Sequence, residues 1–530
     1  MKRSMALIGT MFLFTGCGEV ANINEIEKEN RVNSTTFYVS TSGDNGANGS
    51  SSAPWKTIQF AIDQIEEEST LIVKKGVYHE KVLFSQEDDS NIYLKAEHGA
   101  IIDGSGLKPV GKEALVGIHN AHHITIENLE LRNFKTSTGV ELLSTPIGIF
   151  IDGTSHDINI TKNNIHHIEN LSTCGESTDC GTGANGIAVY GNSQTTMTTL
   201  NFIDNEISNC ILSSSEAFTI NGNINGFKVI NNYVHDNNNI GIDIIGYESD
   251  VCSTCEEEQN RARNGIVKNN RSINNSTNLA LGTFKNNPWY EGKDGSAGGF
   301  YVDGGHHILF EGNRASKNDL GFEFASEHAG KSSHDILMVN NYIYNNREVG
   351  LTIGGYAENP TEQGGGDAKN IMVYNNSFYK NAGWGSEIAF SYRAKNITLV
   401  NNIIYGEGDV ADNFSEEDNS QSKNINWGKN LWWAKDVSDT SDIKGESMVF
   451  DPLYVGASSG NLDIHLSSPA IDEGIKQEDI TSWSNDFWKK AFSNGVIPSA
   501  GSIRIDGQLD IGADGVIPFH GSNYINEDKV

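Results

Sequence analysis

A short phrase recurs nine times along this chain, an asparagine leading into alternating apolar residues: IENLEL, TKNNIHH, IDNEIS, INNYVH, KNNRSI, EGNRAS, VNNYIY, YNNSFY and VNNIIY. The aligned residues are Asn128, Asn163, Asn205, Asn232, Asn270, Asn313, Asn341, Asn376 and Asn402, separated by 35, 42, 27, 38, 43, 28, 35 and 26 positions. The shortest spacings define a bare unit, and the longer ones are that unit plus an inserted loop. A fixed period of this size is the trace that stacked supersecondary units leave in a sequence. A second phrase in the same units ends in glycine: GIFIDG, GIAVYG, GIDIIG, GFYVDG and GLTIGG. Short β-branched runs of period two, broken by Gly and Asn with no helical period between them, read as strands. Two or three such strands per unit, stacked, make a parallel β-solenoid in which each Asn stacks on its equivalents and satisfies buried turn backbone. A β-propeller would need longer, four-stranded blades.

The glycine-led strands set the register. Counting from Gly148, Gly186, Ala217, Gly241, Gly299, Gly321 and Gly350, the next and third residues are apolar: Ile149/Ile151, Ile187/Val189, Phe218/Ile220, Ile242/Ile244, Phe300/Val302, Phe322/Phe324 and Leu351/Ile353. Strand side chains alternate, so these fill the core. The second and fourth positions face outward and read Phe150, Ala188, Thr219, Asp243, Tyr301, Glu323, Thr352 and Asp152, Tyr190, Asn221, Ile245, Asp303, Ala325, Gly354. Consecutive coils thereby present Asp243, then Tyr301 with Asp303, then Glu323, on one solvent-facing patch. With strands about 4.8 Å apart and alternate residues about 6.7 Å apart, the Cα of Asp303 lies roughly 8 Å from those of Asp243 and Glu323.

This pattern resembles the right-handed parallel β-helix of carbohydrate-active proteins. The opening FYVSTSGDNGANGSSSAPWKTIQFAIDQI is similar to the strand, Gly/Ser turn and capping helix that begin many of them. FDPLYV, LDIHLSSPAIDEG and DIGADG resemble the segment that closes such bacterial solenoids, so the resemblance spans about residues 36–515. It implies an all-β fold with an N-terminal helix cap and an irregular C-terminal cap. Glycosidases, lyases and epimerases share that scaffold, so the chemistry has to come from the site.

At the N-terminus, Lys2 and Arg3 precede an apolar run too short to span a bilayer, then LFTGC. LFTGC resembles the lipobox of bacterial lipoproteins, which implies cleavage before Cys17 and lipidation of its thiol at the outer membrane or cell surface. The organisation that follows is a signal peptide over 1–16, a flexible tether over 17–35, an N-terminal cap and first coils over 36–110, a central β-helix carrying the groove over 111–424, and last coils with a C-terminal cap over 425–530. In an exported chain Cys174/Cys180 and Cys252/Cys255 are local pairs that can close as disulfides, each pinning a loop.

Three carboxylates on one patch suit glycoside hydrolysis, which needs a protonated carboxyl as general acid and a second as nucleophile or base. Crowding raises at least one of their pKa values, because like charges disfavour joint ionisation. Asp303, Glu323 and Asp243 are therefore the expected catalytic residues, with Asp303 attacking or activating water and Glu323 protonating the leaving oxygen. The longest units carry the insertions STCGESTDCGTGAN, YESDVCSTCEEEQNRAR and TFKNNPWYEGKDGSAGG, and two of these flank the Asp243 and Asp303 strands. Long loops on a rigid solenoid wall a groove. Substrate contacts are expected from Tyr301, Glu327, His328, Tyr356, Trp289 and Glu216. His306 and His307 recur at the turn that also carries His122, His123, His156 and His334, and read as turn residues.

Two other functions compete. A polysaccharide lyase or uronan epimerase would use Asp243, Asp303 and Glu323 to hold Ca²⁺, with Lys293, Lys331, His328 or Tyr301 as base; a glycan-binding adhesin would use the surface without chemistry. No Lys or Arg falls on the outward rows, and a net charge of −31 suits a polyanionic substrate poorly. The same charge argues against nucleic acid and anionic membrane as partners. The expectation is a monomer acting on a polysaccharide or oligosaccharide, touching membrane only through its lipid, with no cofactor or metal for hydrolysis.

Overall fold

Asn and Gly turns between short β-branched runs leave each run no partner within its own unit, so it pairs with the same run one unit on. In the computed structural model, which describes residues 35–85, 90–137, 144–175, 183–381, 383, 385–441, 443–475 and 510–512, each unit becomes one coil of a right-handed parallel β-helix. In one representative coil, Gly298–Asp303 runs along the first face, His306–Glu311 along the second and Arg314–Ser316 along the third. Leu320–Ala325 then returns to the first face. Stacking gives parallel sheets of 11, 13 and 13 strands on the three faces. Ile242, Val302, Phe324 and Ile353, expected inside, are completely buried. Phe300 stacks on Phe322 one coil on, with ring centroids 4.6 Å apart.

The turn between the second and third faces explains the recurrent asparagine. Lys162, Asp204, Asn231, Asn269, Asn340, Asn375 and Asn401 adopt left-handed backbone with φ between 53° and 58°, a conformation Asn tolerates better than most residues. The next residue is thereby turned inward. Asn163 donates from its backbone N–H and its Nδ2 to Asn205 Oδ1, at 3.0 and 3.1 Å. The same pair of bonds repeats through Asn232, Asn270, Asn313, Asn341, Asn376 and Asn402 to Asn430. Asn128 is not part of this ladder. The pairing of Asn164 with Glu130 puts Leu129 at the ladder position, where its N–H donates to Asn163 Oδ1 at 2.9 Å. Asn128 instead fills the left-handed slot before it, with φ 66°.

Five residues past the first ladder stands a second one. Asn237, Asn275, Asn318, Asn346 and Asn381 are linked by the same Nδ2–H to Oδ1 bonds. The stack ends on Glu387, whose two carboxylate oxygens accept from Asn381 N–H and Nδ2 at 2.8 and 2.6 Å. It lies at the turn from the third face back to the first, and so holds the strands of the first face in place.

A five-residue helix, Ile58–Ile62, covers the first coil with Ile58, Ala61 and Ile62 buried. Its leading N–H groups at Ile58 and Gln59 donate to the Glu80 carboxylate at 2.9 and 3.0 Å, which occupies donors that a helix start leaves open. At the other end Tyr454–Gly456 and Asn461–Ile464 form a small antiparallel hairpin. Ile511 packs there against Ile403, Leu431 and Ala470.

Candidate active site

Register alone brings the central residues together. Along the first face Thr219 pairs with Asp243, Asp243 with Tyr301, Tyr301 with Glu323, and Glu323 with Thr352. Tyr301 thus stands between Asp243 and Glu323, whose strands are two apart, roughly 9–10 Å. Asp303 is two residues further along the Tyr301 strand, beside Ala325. Just past it the chain turns at Gly304, φ +81°, where an added Cβ would meet the Tyr247 ring at 2.7 Å. Only glycine fits that close approach of the wall to the strand.

The patch is not exposed as the alternation implied. Asp243, Tyr301 and Asp303 are 2, 3 and 3% exposed, and Glu323 is half-buried. The physical reason lies in the loops that leave the first face. Tyr247 and Glu248, from the insertion after Asp243, rise beside the row, and Glu248 Oε1 lies 3.4 Å from His328 Nε2. The segment after Ile353 folds back over Glu327, where Gly364 N–H donates to Glu327 O at 2.6 Å and Gln363 Nε2 to Glu327 Oε2 at 3.4 Å. The outward row is thus covered by loops from its own face.

Burial dominates the electrostatics of that row. The Glu323 carboxyl is pushed up to about 8, first by burial and then by Glu327. Glu216 is pushed up to about 7 by burial, with Glu327 and Glu248 adding to it. Asp243 and Asp303 are raised well above the usual carboxylate range, Asp243 by burial and Glu216, Asp303 by burial and Glu327. Against this, Asp303 Oδ1 accepts the Glu327 backbone N–H at 2.7 Å, a bond that favours the ionised form. Asp243 Oδ1 has no hydrogen-bond partner among the described residues. Glu327 is raised by burial and held back by Gln363. Glu248 is lowered, chiefly by its bond to His328, and His328 is raised by the same bond. The hydroxyls of Tyr301, Tyr356 and Tyr190 are raised by burial and by these acids.

Asp243, Asp303, Glu323, Tyr301, Glu327, His328, Glu216 and Tyr356 therefore form one interacting set. Glu248 and Tyr190 join it although they were not singled out in the sequence. Glu248 follows the Asp243 strand directly, in IIGYES, but inside an insertion whose path no periodicity describes. Trp289 and Tyr290 sit on a 3₁₀ turn, Pro288–Tyr290, anchored by Asn287, whose buried amide donates to Ser213 O and Asn238 O. Among the described residues no hydrogen bond joins Trp289 to the carboxylates. His306 and His307 belong to the second face, where His306 stacks on His334 at 4.8 Å and His307 takes φ 57°.

Asp243, Asp303 and Glu323 do not converge on one ion, because Tyr301 separates the first from the third. The donor group of metal-binding size here is Glu248, Asp303 and His328, whose ligand atoms lie within 4.8 Å of one another. Cys252 and Cys255 form a disulfide in the wall that carries Glu248. Cys174 is disulfide-bonded as well. Cys180, like Cys17, lies outside the described residues.

No known family profile matches the sequence. Solved structures align with it at low similarity, among them the GH136 lacto-N-biosidase from Eubacterium ramulus, at 12% identity over 81% of this chain and 70% of that one with a TM-score of 0.47, and pectate lyase Pel9A, at 13% identity over 92% of this chain and 97% of that one with a TM-score of 0.47. The uncharacterized protein YwoF of Bacillus subtilis (strain 168) is 32% identical over 402 residues, which cover 73% of this chain and 79% of YwoF. The chain belongs to the same family as YwoF.

Proposed function

We propose that this protein is a glycoside hydrolase whose groove binds a polysaccharide or oligosaccharide and cleaves it with paired carboxyls. One observation carries the reading: on adjacent strands Glu323 is pushed up to about 8 by burial and Glu327, while Asp303, also raised by burial, accepts a backbone N–H that favours its ionised form. Glu323, pushed up to about 8, holds its proton at neutral pH and serves as general acid. Asp303 is the carboxylate with a backbone N–H on it, and serves as nucleophile or as base for water. Asp243, itself raised by burial and by Glu216, is a third carboxyl in the set, and Tyr301, Tyr356 and Glu216 offer hydroxyl and carboxyl contacts to sugar. Cys17 is the lipid attachment point, which puts the groove at the outer membrane or cell surface.

Elimination is the second reading, favoured by the Glu248, Asp303 and His328 donor set. Its difficulty is the base. Lys331 is paired with Glu257, Lys293 lies over the Tyr290 ring, His328 is raised by Glu248, and the Tyr301 hydroxyl is raised well above its usual value. A histidine in the donor set also suits Ca²⁺ less than an all-oxygen set would.

The deciding experiment incubates the protein with neutral and uronate glycans and follows reducing ends together with ultraviolet absorbance. Hydrolysis raises reducing ends alone. Absorbing, unsaturated ends that vanish on chelation would replace the glycosidase reading by a lyase.

A further inference from the structure

Away from the groove, at the start of the second face, two consecutive coils bring histidines together. His122 pairs with His156 and Ile124 with Ile158, while His123 and Asp157 between them both adopt φ 55°. A left-handed residue interrupts strand alternation, so neighbours that would point to opposite faces both project outward. His122 and His156 stack with centroids 4.9 Å apart. His156 Nδ1 lies 2.7 Å and His123 Nε2 3.6 Å from Asp157 Oδ2, and His122 Nδ1 lies 2.9 Å from His123 Nδ1. The ligand atoms of His123, His156 and Asp157 are all within 4.8 Å of one another.

Such a pair is ordinary turn chemistry when it stands alone. His235 and Asp236 form one, 2.7 Å apart, with Glu206 of the preceding coil 3.3 Å from His235 Nε2 and Asn274 donating to Asp236 from the next coil. What differs at His122–Asp157 is that imidazoles from two successive coils and a carboxylate bring three ligand atoms within 4.8 Å of one another. A first-row divalent ion bound at about 2.0–2.2 Å to each donor spaces tetrahedral donors roughly 3.4 Å apart, which falls between the separations seen here. Imidazole with one carboxylate suits Zn²⁺, Cu²⁺ or Ni²⁺ and not Ca²⁺.

We propose that His123, His156 and Asp157, with His122 beside them, form a binding site for a divalent transition metal that clips two neighbouring coils together. The site is open to solvent: the His123 side chain is 50% exposed.

The chain contains its own comparison. His306, His307 and His334 repeat the geometry, with His306 on His334 and Asp335 2.7 Å from His334 Nδ1. There, however, Arg263 stands on the neighbouring strand in register with His306, and a guanidinium beside the imidazoles opposes a bound cation, so the first cluster is the site proposed to hold the metal.

The test titrates the full chain, purified without a polyhistidine tag, with Zn²⁺ by calorimetry. His123→Asn keeps a residue that tolerates left-handed backbone, and His156→Ala removes the second imidazole. Each variant should lose one Zn²⁺ equivalent, or weaken it at least about tenfold, the lower end of what losing even an orienting partner of a ligand costs. Zn²⁺ should raise the melting temperature of the wild type more than that of either variant, with metal-free melting of His123→Asn unchanged. His334→Ala should keep the equivalent. Unaltered Zn²⁺ binding in both His123→Asn and His156→Ala, or its loss in His334→Ala alone, overturns the proposal.

Discussion

The backbone N–H of Glu327 donates to Asp303 Oδ1 at 2.7 Å, while the Glu327 carboxyl is among the groups that push the Asp303 carboxyl up. One residue thus stabilises the anion through its main chain and opposes it through its side chain. Burial still leaves the Asp303 carboxyl raised well above its usual range, and Glu323 is pushed up to about 8 by burial and by Glu327.

Asp303→Asn and Glu323→Gln should each lower turnover by roughly 10²–10⁴, the range that one positioned acid or base contributes. Both side chains line the groove and leave the apolar core untouched, so circular dichroism and the cooperative melt should persist. Near-wild-type turnover in either variant would remove that residue from the mechanism.

Activity should decline on the alkaline side with a limb near pH 8, because the general acid loses its proton there. A pH–rate profile of kcat/KM measures this. Loss of that limb together with turnover in Glu323→Gln assigns it to Glu323; a profile flat through pH 9 would contradict the assignment.

Stability should run the same way. Glu323 and Glu216, raised to about 8 and about 7, keep protons in the folded chain that the unfolded chain has released above about 4.3. Unfolding then releases protons, so stability falls as pH rises from about 5 to about 8. The melting temperature should drop over that interval, and less so in Glu323→Gln. A rise across it would show that the row is not buried as described.

How much of this was legible beforehand differs by element. The apolar rows of Ile242, Val302, Phe324 and Ile353 were readable because period-two alternation and a buried face are the same fact seen twice. Asn128 was misassigned because Asn suits both the left-handed slot and the ladder slot, and one letter cannot tell them apart. The second ladder escaped because its members sit between a three-residue strand and an insertion of variable length. Asp303, Glu323 and Asp243 were placed on one face by counting, but their burial was not, since it depends on where Glu248 and Gln363 fold, and loops carry no period.

Replacing a mid-ladder asparagine tests the fold directly. Asn313→Ala removes an amide that donates to Asn341 Oδ1 and Val267 O and accepts from Asn270. Each buried group left unpaired costs about 1–3 kcal/mol, so denaturant unfolding should show a loss of at least that size. A negligible effect would mean the ladder follows the fold without supporting it.

Changing Cys17 to Ala should move the protein from the membrane fraction to the soluble exported fraction, leaving its activity on soluble glycans intact. Unchanged fractionation would remove the lipid anchor.

The amides of each ladder all point the same way, every one donating toward the next coil. Such a stack has unlike ends: a member in the middle must both give and receive, whereas the last need only receive. Glu387 shows the result, a carboxylate seated where an interior position would need an amide. A whole coil can then be gained or lost from the middle without leaving any amide facing the wrong way, since each copy presents the same two edges. The solenoid's length is thus free to change over evolution by duplication of units, while the identity of its terminal residues is not.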